Sequence, residues 1–300
     1  MLVIFNSLIS FLIIAVVITI SYVFRESSFG IIFRDSVSSK ELNRAESLLY
    51  TLLNIGWLVG PLIAGFFLVK FGILSVFMAA TGFFTISLIF FLTMHFKPKQ
   101  KKIKKINRNI KLNLLDFIKN KDLHLPYLIT TGLAIWWTLI FIYTPLFIIE
   151  AGLSEFYVAL FIGLAMLPLV LFEYKVGLLS EKLGLKLFFI LGFTGLFIVG
   201  LICFFISNIL IILLLIIIGS IFAAFIEPLK DTFFFKSIKQ KDEEKYFPIY
   251  NTSRYLGGFI GKFTVVLILV FLAKQFTYLI IAFFMLIIVL LCLKLKSKVK

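Results

Sequence analysis

Apolar residues fall into nine long runs, at 7–34, 48–69, 73–96, 126–149, 156–176, 187–206, 209–235, 246–272 and 276–293, parted by short polar breaks. A helix rising 1.5 Å per residue needs about 20 apolar residues to cross a hydrocarbon layer about 30 Å thick, and these runs are of that order. The pattern predicts an all-α, polytopic membrane helix bundle with nine transmembrane helices. Composition agrees: 61% of the chain is hydrophobic and 38 of its 300 residues are Phe. Its mean hydropathy is +1.11, outside the range of soluble domains.

The net charge of +15 could suggest nucleic acid, but its distribution excludes that partner. Of 30 basic residues, 25 lie in alternate loops and in the tail from Lys294, while Lys70 and Lys274 fall on the other side. By the positive-inside rule those loops and the C-terminus are cytoplasmic and Met1 is outside. Charge of this kind reports topology and attraction to anionic lipid headgroups of the bilayer. The longest loop divides the chain into 1–96 with three spans, a basic cytoplasmic linker at 97–125, and 126–300 with six. Within the linker, Ile110, Leu114, Phe117 and Ile118 are spaced as one face of an amphipathic helix, expected to lie on the membrane. Cys203 and Cys292 sit in apolar runs without metal or disulfide spacing, and His95 and His124 form no ligand pair. No metal, cofactor or nucleophile–base set is indicated, so the chain does not read as an enzyme. A cleaved signal peptide is not expected, since no basic residue follows Met1 before the apolar run.

The second run contains Asn54-Ile55-Gly56-Trp57-Leu58-Val59-Gly60-Pro61-Leu62-Ile63-Ala64-Gly65, preceded by the charged stretch 38–45. Small residues at 56, 60 and 64/65 make a seam where another helix backbone can approach, and Pro61 removes a donor there and should loosen the helix. Further on, Gly177-Leu178-Leu179-Ser180-Glu181-Lys182-Leu183-Gly184-Leu185-Lys186 forms a charged cytoplasmic turn between two runs. The first stretch resembles the G-x-x-x-G-P-x-x-(A/G)-G pattern of antiporters in the major facilitator superfamily. The second resembles that superfamily's G-x-x-x-D-R-x-G-R-R loop between helices eight and nine, with Glu181 for Asp and Lys at 182 and 186 for Arg. Thr144-Pro145-Leu146 leading to Glu150 is similar to the exit of helix seven.

A faint internal repeat appears at an offset of 201 residues: Phe24 on Phe225, Glu26 on Glu227, Ser36 on Ser237, Gly56 on Gly257 and Gly60 on Gly261. Set on the superfamily's twelve-helix scheme, the nine runs correspond to helices four to twelve. Helices one to three would be missing, with Met1 to Phe5 a remnant of the third. The resemblance then implies that a missing N-terminal segment or a partner chain supplies them. It also implies lipid-facing roles for runs 73–96, 187–206 and 276–293, none of which contains Asp, Glu, Lys or Arg. Buried charge is expected on helices four, ten and eleven.

Charge retained in hydrocarbon usually faces a cavity or a partner. Glu26 and Glu227 each lie eight residues before the end of a run, and Arg254 eight residues after the start of one, so all three share one depth. Glu227 and Arg254 are expected to form an ion pair. Asn251, Arg254, Gly258 and Lys262 are spaced as one polar stripe. Glu26 or Glu227 would carry a coupling proton, while Arg254 and Lys262 would hold an anionic part of a substrate or neutralise Glu227. Gly56, Gly60, Pro61 and Gly65 are the antiporter-like seam, and Gly177, Glu181, Lys182, Gly184 and Lys186 the gating loop. Trp136 and Trp137 are expected to pack or face lipid, with stacking on a substrate as the alternative, and Trp57 is expected to pack within the seam. The function implied is a secondary transporter of the cell membrane exporting a small molecule by proton coupling. Uptake or facilitated diffusion of a small metabolite, and a non-transporting scaffold, are the rivals.

Overall fold

A computed structural model of the protein describes residues 8–38, 41–93 and 110–295. The expected remnant at Met1–Phe5, the linker through Lys105 and the last five residues of the tail lie outside the described residues. Within them the chain runs α1 (Leu8–Ser36), α2 (Leu42–Phe71), α3 (Ile73–Thr93), α4 (Ile110–Lys119), α5 (Lys121–Thr138), α6 (Thr144–Glu150), α7 (Glu155–Leu183), α8 (Leu185–Phe204), α9 (Ile209–Ala223), α10 (Glu227–Lys236), α11 (Glu243–Phe271) and α12 (Phe276–Leu293), with no strand among them. Joining α5 to α6 and α9 to α10 leaves nine segments among the described residues that are long and apolar enough to cross a membrane. The all-α bundle and its nine spans are as the hydropathy pattern predicts.

Local chemistry sets the breaks. The Asn120 side chain accepts from the Asp122 amide and starts α5, and Asn208 accepts from the amides of Leu210 and Ile211 to start α9. Gly184 turns the chain from α7 into α8 at φ 83°, a conformation that a side chain disfavours. Leu139–Tyr143, between α5 and α6, widens into π-helical turns just before Pro145. Proline lacks the amide and crowds the carbonyl four residues back, and the wider turn accommodates both. Pro228 acts likewise after the turn at 224–226 and divides one span into α9 and α10. Glu227 therefore stands in the first turn of α10, where the helix dipole favours negative charge.

Two helices extend beyond their apolar runs. The run at 48–69 becomes α2 from Leu42, and the run ending at 176 continues in α7 to Leu183. Their polar ends stay helical because they pack on each other. Gly177 lies so close to Ser47 that a Cβ there would sit 2.2 Å from the Ser47 hydroxyl oxygen. The buried residues of α2 include Asn43, Glu46, Ser47, Tyr50 and Asn54, a polar stripe at helical spacing. By contrast, α3 has no buried residue.

The later spans share one apolar core containing Trp136, Phe189, Phe193, Leu196, Ile216 and Met285. A second cluster joins Leu42, Phe117, Leu123, Phe234, Phe235, Phe247 and Tyr250 at the end toward α4. Phe117 corrects the expectation for α4: it is buried in this cluster, while Leu114 and Ile118 remain exposed. An ion pair between Asp116 and Lys245 fixes α4 to α11. The 201-residue repeat also reappears in the element bounds. Shifted by that offset, α1 falls on Ile209–Lys236 and α2 on Glu243–Phe271, each to within a residue.

Candidate functional site

A cavity of about 680 Å³ lies where α1 and α2 meet α5, α10 and α11, a volume usual for small-molecule sites. Asp231, buried on α10, is among its lining residues. Three side chains converge on that carboxylate: Arg254 Nη2 donates to Oδ2 at 2.8 Å, the Tyr50 hydroxyl donates to Oδ2 at 2.5 Å, and the Tyr250 hydroxyl donates to Oδ1 at 2.8 Å. Thr130 on α5 completes the chain, its hydroxyl 2.6 Å from that of Tyr250. Arg254 also donates through Nη1 to Glu26 Oε2 at 3.2 Å, and Arg25 reaches the other Glu26 oxygen at 3.1 Å.

A second pair stands beside the first. Lys230 Nζ donates to Glu227 Oε1 at 3.0 Å and lies 4.0 Å from the centre of the Tyr50 ring, a cation–π distance. Trp137 Nε1 donates to Glu227 Oε2 at 2.7 Å. Glu173 on α7 is wholly buried. It accepts from Asn54 at 2.9 Å through Oε2, while Oε1 has no partner among the described residues. Burying ionised groups costs several kcal/mol unless each is paired, and the pairings of Asp231 with Arg254 and of Glu227 with Lys230 supply that compensation.

Glu26, Glu227, Asn251, Arg254 and Lys262 all line this cavity, as does Gly258 of the same stripe. The expected ion pair between Glu227 and Arg254 is not formed. Arg254 is taken by Asp231 and Glu26, and Glu227 by Lys230. Lys230 and Asp231, near the end of the 209–235 run, are both buried and take these partners. Buried charge also reaches helices that were expected to lack it, through Glu46 on α2 and Glu173 on α7. Trp137 lines the cavity, against the expectation of packing, whereas Trp136 is buried in the core. Trp57 is tilted against Phe141 at 5.1 Å and also lines the cavity.

The seam divides. A Cβ on Gly65 would come 2.9 Å from that of Ala159 on α7, but Gly56 and Gly60 meet nothing within 4 Å. α2 continues as one helix through Pro61. Of the turn residues, Gly177 lies within α7 and Glu181 pairs with Arg44 at 3.7 Å. Lys182 is exposed. Lys186 donates to the carbonyls of Leu293 and Leu295 at 2.8 and 2.6 Å, capping α12.

The residues that sequence reasoning missed are Glu46, Tyr50, Glu173, Lys230 and Asp231. A signal existed for part of this set: Asn43, Glu46, Tyr50 and Asn54 are three or four residues apart. Against known proteins, the family model described as Major Facilitator Superfamily matches residues 1–262. No curated protein matches the chain.

Proposed function

The chain belongs to the Major Facilitator Superfamily and is a membrane transporter, and from that premise we propose that it couples export of a small molecule to protons by alternating access. The observation that carries this reading is the pairing of acids and bases around one cavity by helices from both ends of the chain. Glu26 on α1 and Tyr50 on α2 meet Arg254 on α11 and Asp231 on α10. A ligand or proton that breaks one of these bonds loosens the contact between the first spans and the last six, which is what alternating access requires.

Glu227 is the proposed coupling carboxylate. It faces the cavity and has two donors, Lys230 and Trp137. A proton on Glu227 removes its charge from Lys230, and deprotonation restores the pair. Arg254 and Lys262 serve as cavity cations, with Glu26 as the partner that holds Arg254 in place. Export is favoured by the Gly56–Gly65 pattern, and the gating role falls to the turn at 177–186, whose Glu181 ties α7 to Arg44 on α2. The proposed setting is the cell membrane with the C-terminus cytoplasmic, as the distribution of Lys and Arg indicates.

The test is flux in vesicles with an imposed pH gradient, screening small organic compounds. The wild-type chain should move its substrate against a gradient only while the pH difference lasts. Glu227→Gln should fold yet lose that accumulation. Accumulation undiminished in Glu227→Gln overturns the coupling role.

A further inference from the structure

The cavity's charged groups are unevenly paired. Arg254 is held by Asp231, Glu26 and Tyr50, and Lys230 by Glu227, so each inner cation is already paired. Lys262 is eleven residues past Asn251 on α11, about 16 Å along the axis, and is exposed. One acid is left over. Glu46 is 4% exposed and lines the cavity, and among the described residues no hydrogen bond or ion pair engages its carboxyl. A buried acceptor without a donor is costly, so a ligand that brings donors gains what the protein alone leaves unmade.

Around this acid the wall is aromatic. Phe33, Trp57, Trp137, Phe141, Phe235 and Phe247 all line the cavity. Aromatic faces attract cations and apolar rings, and they offer no charge to an anion.

We infer that the cavity takes an organic cation: a protonated amine on an aromatic or apolar body, its N–H groups donating to Glu46. This rests on the transporter reading and deepens it. It also replaces the expectation that Arg254 and Lys262 select an anion, because Arg254 has no charge left unmatched. Glu46 is thus assigned a recognition role separate from the coupling carboxylate, Glu227.

The experiment is direct binding to the detergent-solubilised full chain, without vesicles or a gradient, so that failed coupling leaves it unaffected. Phenethylammonium and 3-phenylpropionate serve as probes of similar shape and opposite charge, read by calorimetry and by quenching of tryptophan fluorescence. The ammonium should bind at least tenfold more tightly than the carboxylate. Glu46→Gln should weaken the ammonium at least tenfold, while Glu150→Gln, at the exposed pair with Lys274, should change nothing. Equal or tighter binding of 3-phenylpropionate overturns the assignment, as does binding of neither probe. Unchanged ammonium affinity in folded Glu46→Gln overturns it too. Should that variant not fold, the wild-type preference between the two probes still decides.

Discussion

Arg254 of α11 donates to Glu26 of α1 at 3.2 Å, a contact between residues 228 apart in sequence. Both side chains are about a third exposed to the cavity, at 31% and 29%. An ion pair so placed contributes about 1 kcal/mol or less. The same guanidinium also serves Asp231, whose side chain is only 7% exposed, and stranding a buried carboxylate costs about 3–5 kcal/mol. Glu26→Gln should therefore barely move the unfolding midpoint in detergent, while Arg254→Gln should lower it clearly. Equal losses in the two variants would show that Asp231 does not depend on Arg254.

Arg34 of α1 and Glu243 of α11 form an enclosed ion pair, at 3.2 Å with side chains 7% and 3% exposed. Arg34 also lies 5.8 Å from the centre of the Phe235 ring. Removing either partner alone should destabilise the chain by about 3–5 kcal/mol, whereas replacing both with Leu should restore most of that loss. A double-mutant cycle measures this directly, and strictly additive losses would count against it.

The nine spans were legible because hydrocarbon thickness demands long apolar runs, and nothing else in this chain competes with that signal. The site was legible only in part. Glu26, Glu227 and Arg254 stand inside apolar runs and mark themselves as anomalies. Lys230 and Asp231 do not, because Glu227-Pro228-Leu229-Lys230-Asp231 reads as the polar end of a run. Their burial depends on Tyr50 and Arg254, which arrive from elsewhere in the chain. Glu46 was obscured in the same way, in a polar stretch that stays helical only because α7 covers it. Which acid Arg254 chooses depends on how α10 and α11 are rotated, and spacing along one helix carries no record of its neighbour's rotation.

The glycines offer a sharper contrast. At Gly177 a Cβ would meet the Ser47 side chain at 2.2 and 2.5 Å and the Asn43 carbonyl at 2.9 Å. Gly177→Ala should push α2 from α7 and cost about 1–3 kcal/mol, as overpacking does. At Gly56 and Gly60 nothing lies within 4 Å. Alanine at either should be neutral or should stabilise the helix by up to about 1 kcal/mol. Thermal melting of the three variants checks this, and the reverse order would restore the seam to Gly56 and Gly60.

The two adjacent tryptophans separate stability from transport. Trp136 is fully buried, its ring 2.7 Å from where a Cβ on Gly219 would sit. Trp137 faces the cavity and donates to Glu227 at 2.7 Å while its ring lies 5.7 Å from that of Phe141. Phenylalanine at 136 removes volume from a packed core, so it should lower the unfolding midpoint and leave the pH dependence of transport unchanged. Phenylalanine at 137 keeps an aromatic wall but removes the donor, leaving Glu227 with Lys230 alone. A hydrogen bond to a charged group contributes about 1.5–3 kcal/mol, so its loss weakens the hold on the Glu227 carboxylate beside Lys230. Trp137→Phe should accordingly lower gradient-driven accumulation, with a smaller change in melting than Trp136→Phe. Accumulation identical to that of the wild type would remove Glu227 from the coupling step while leaving its bond to Trp137 a structural one.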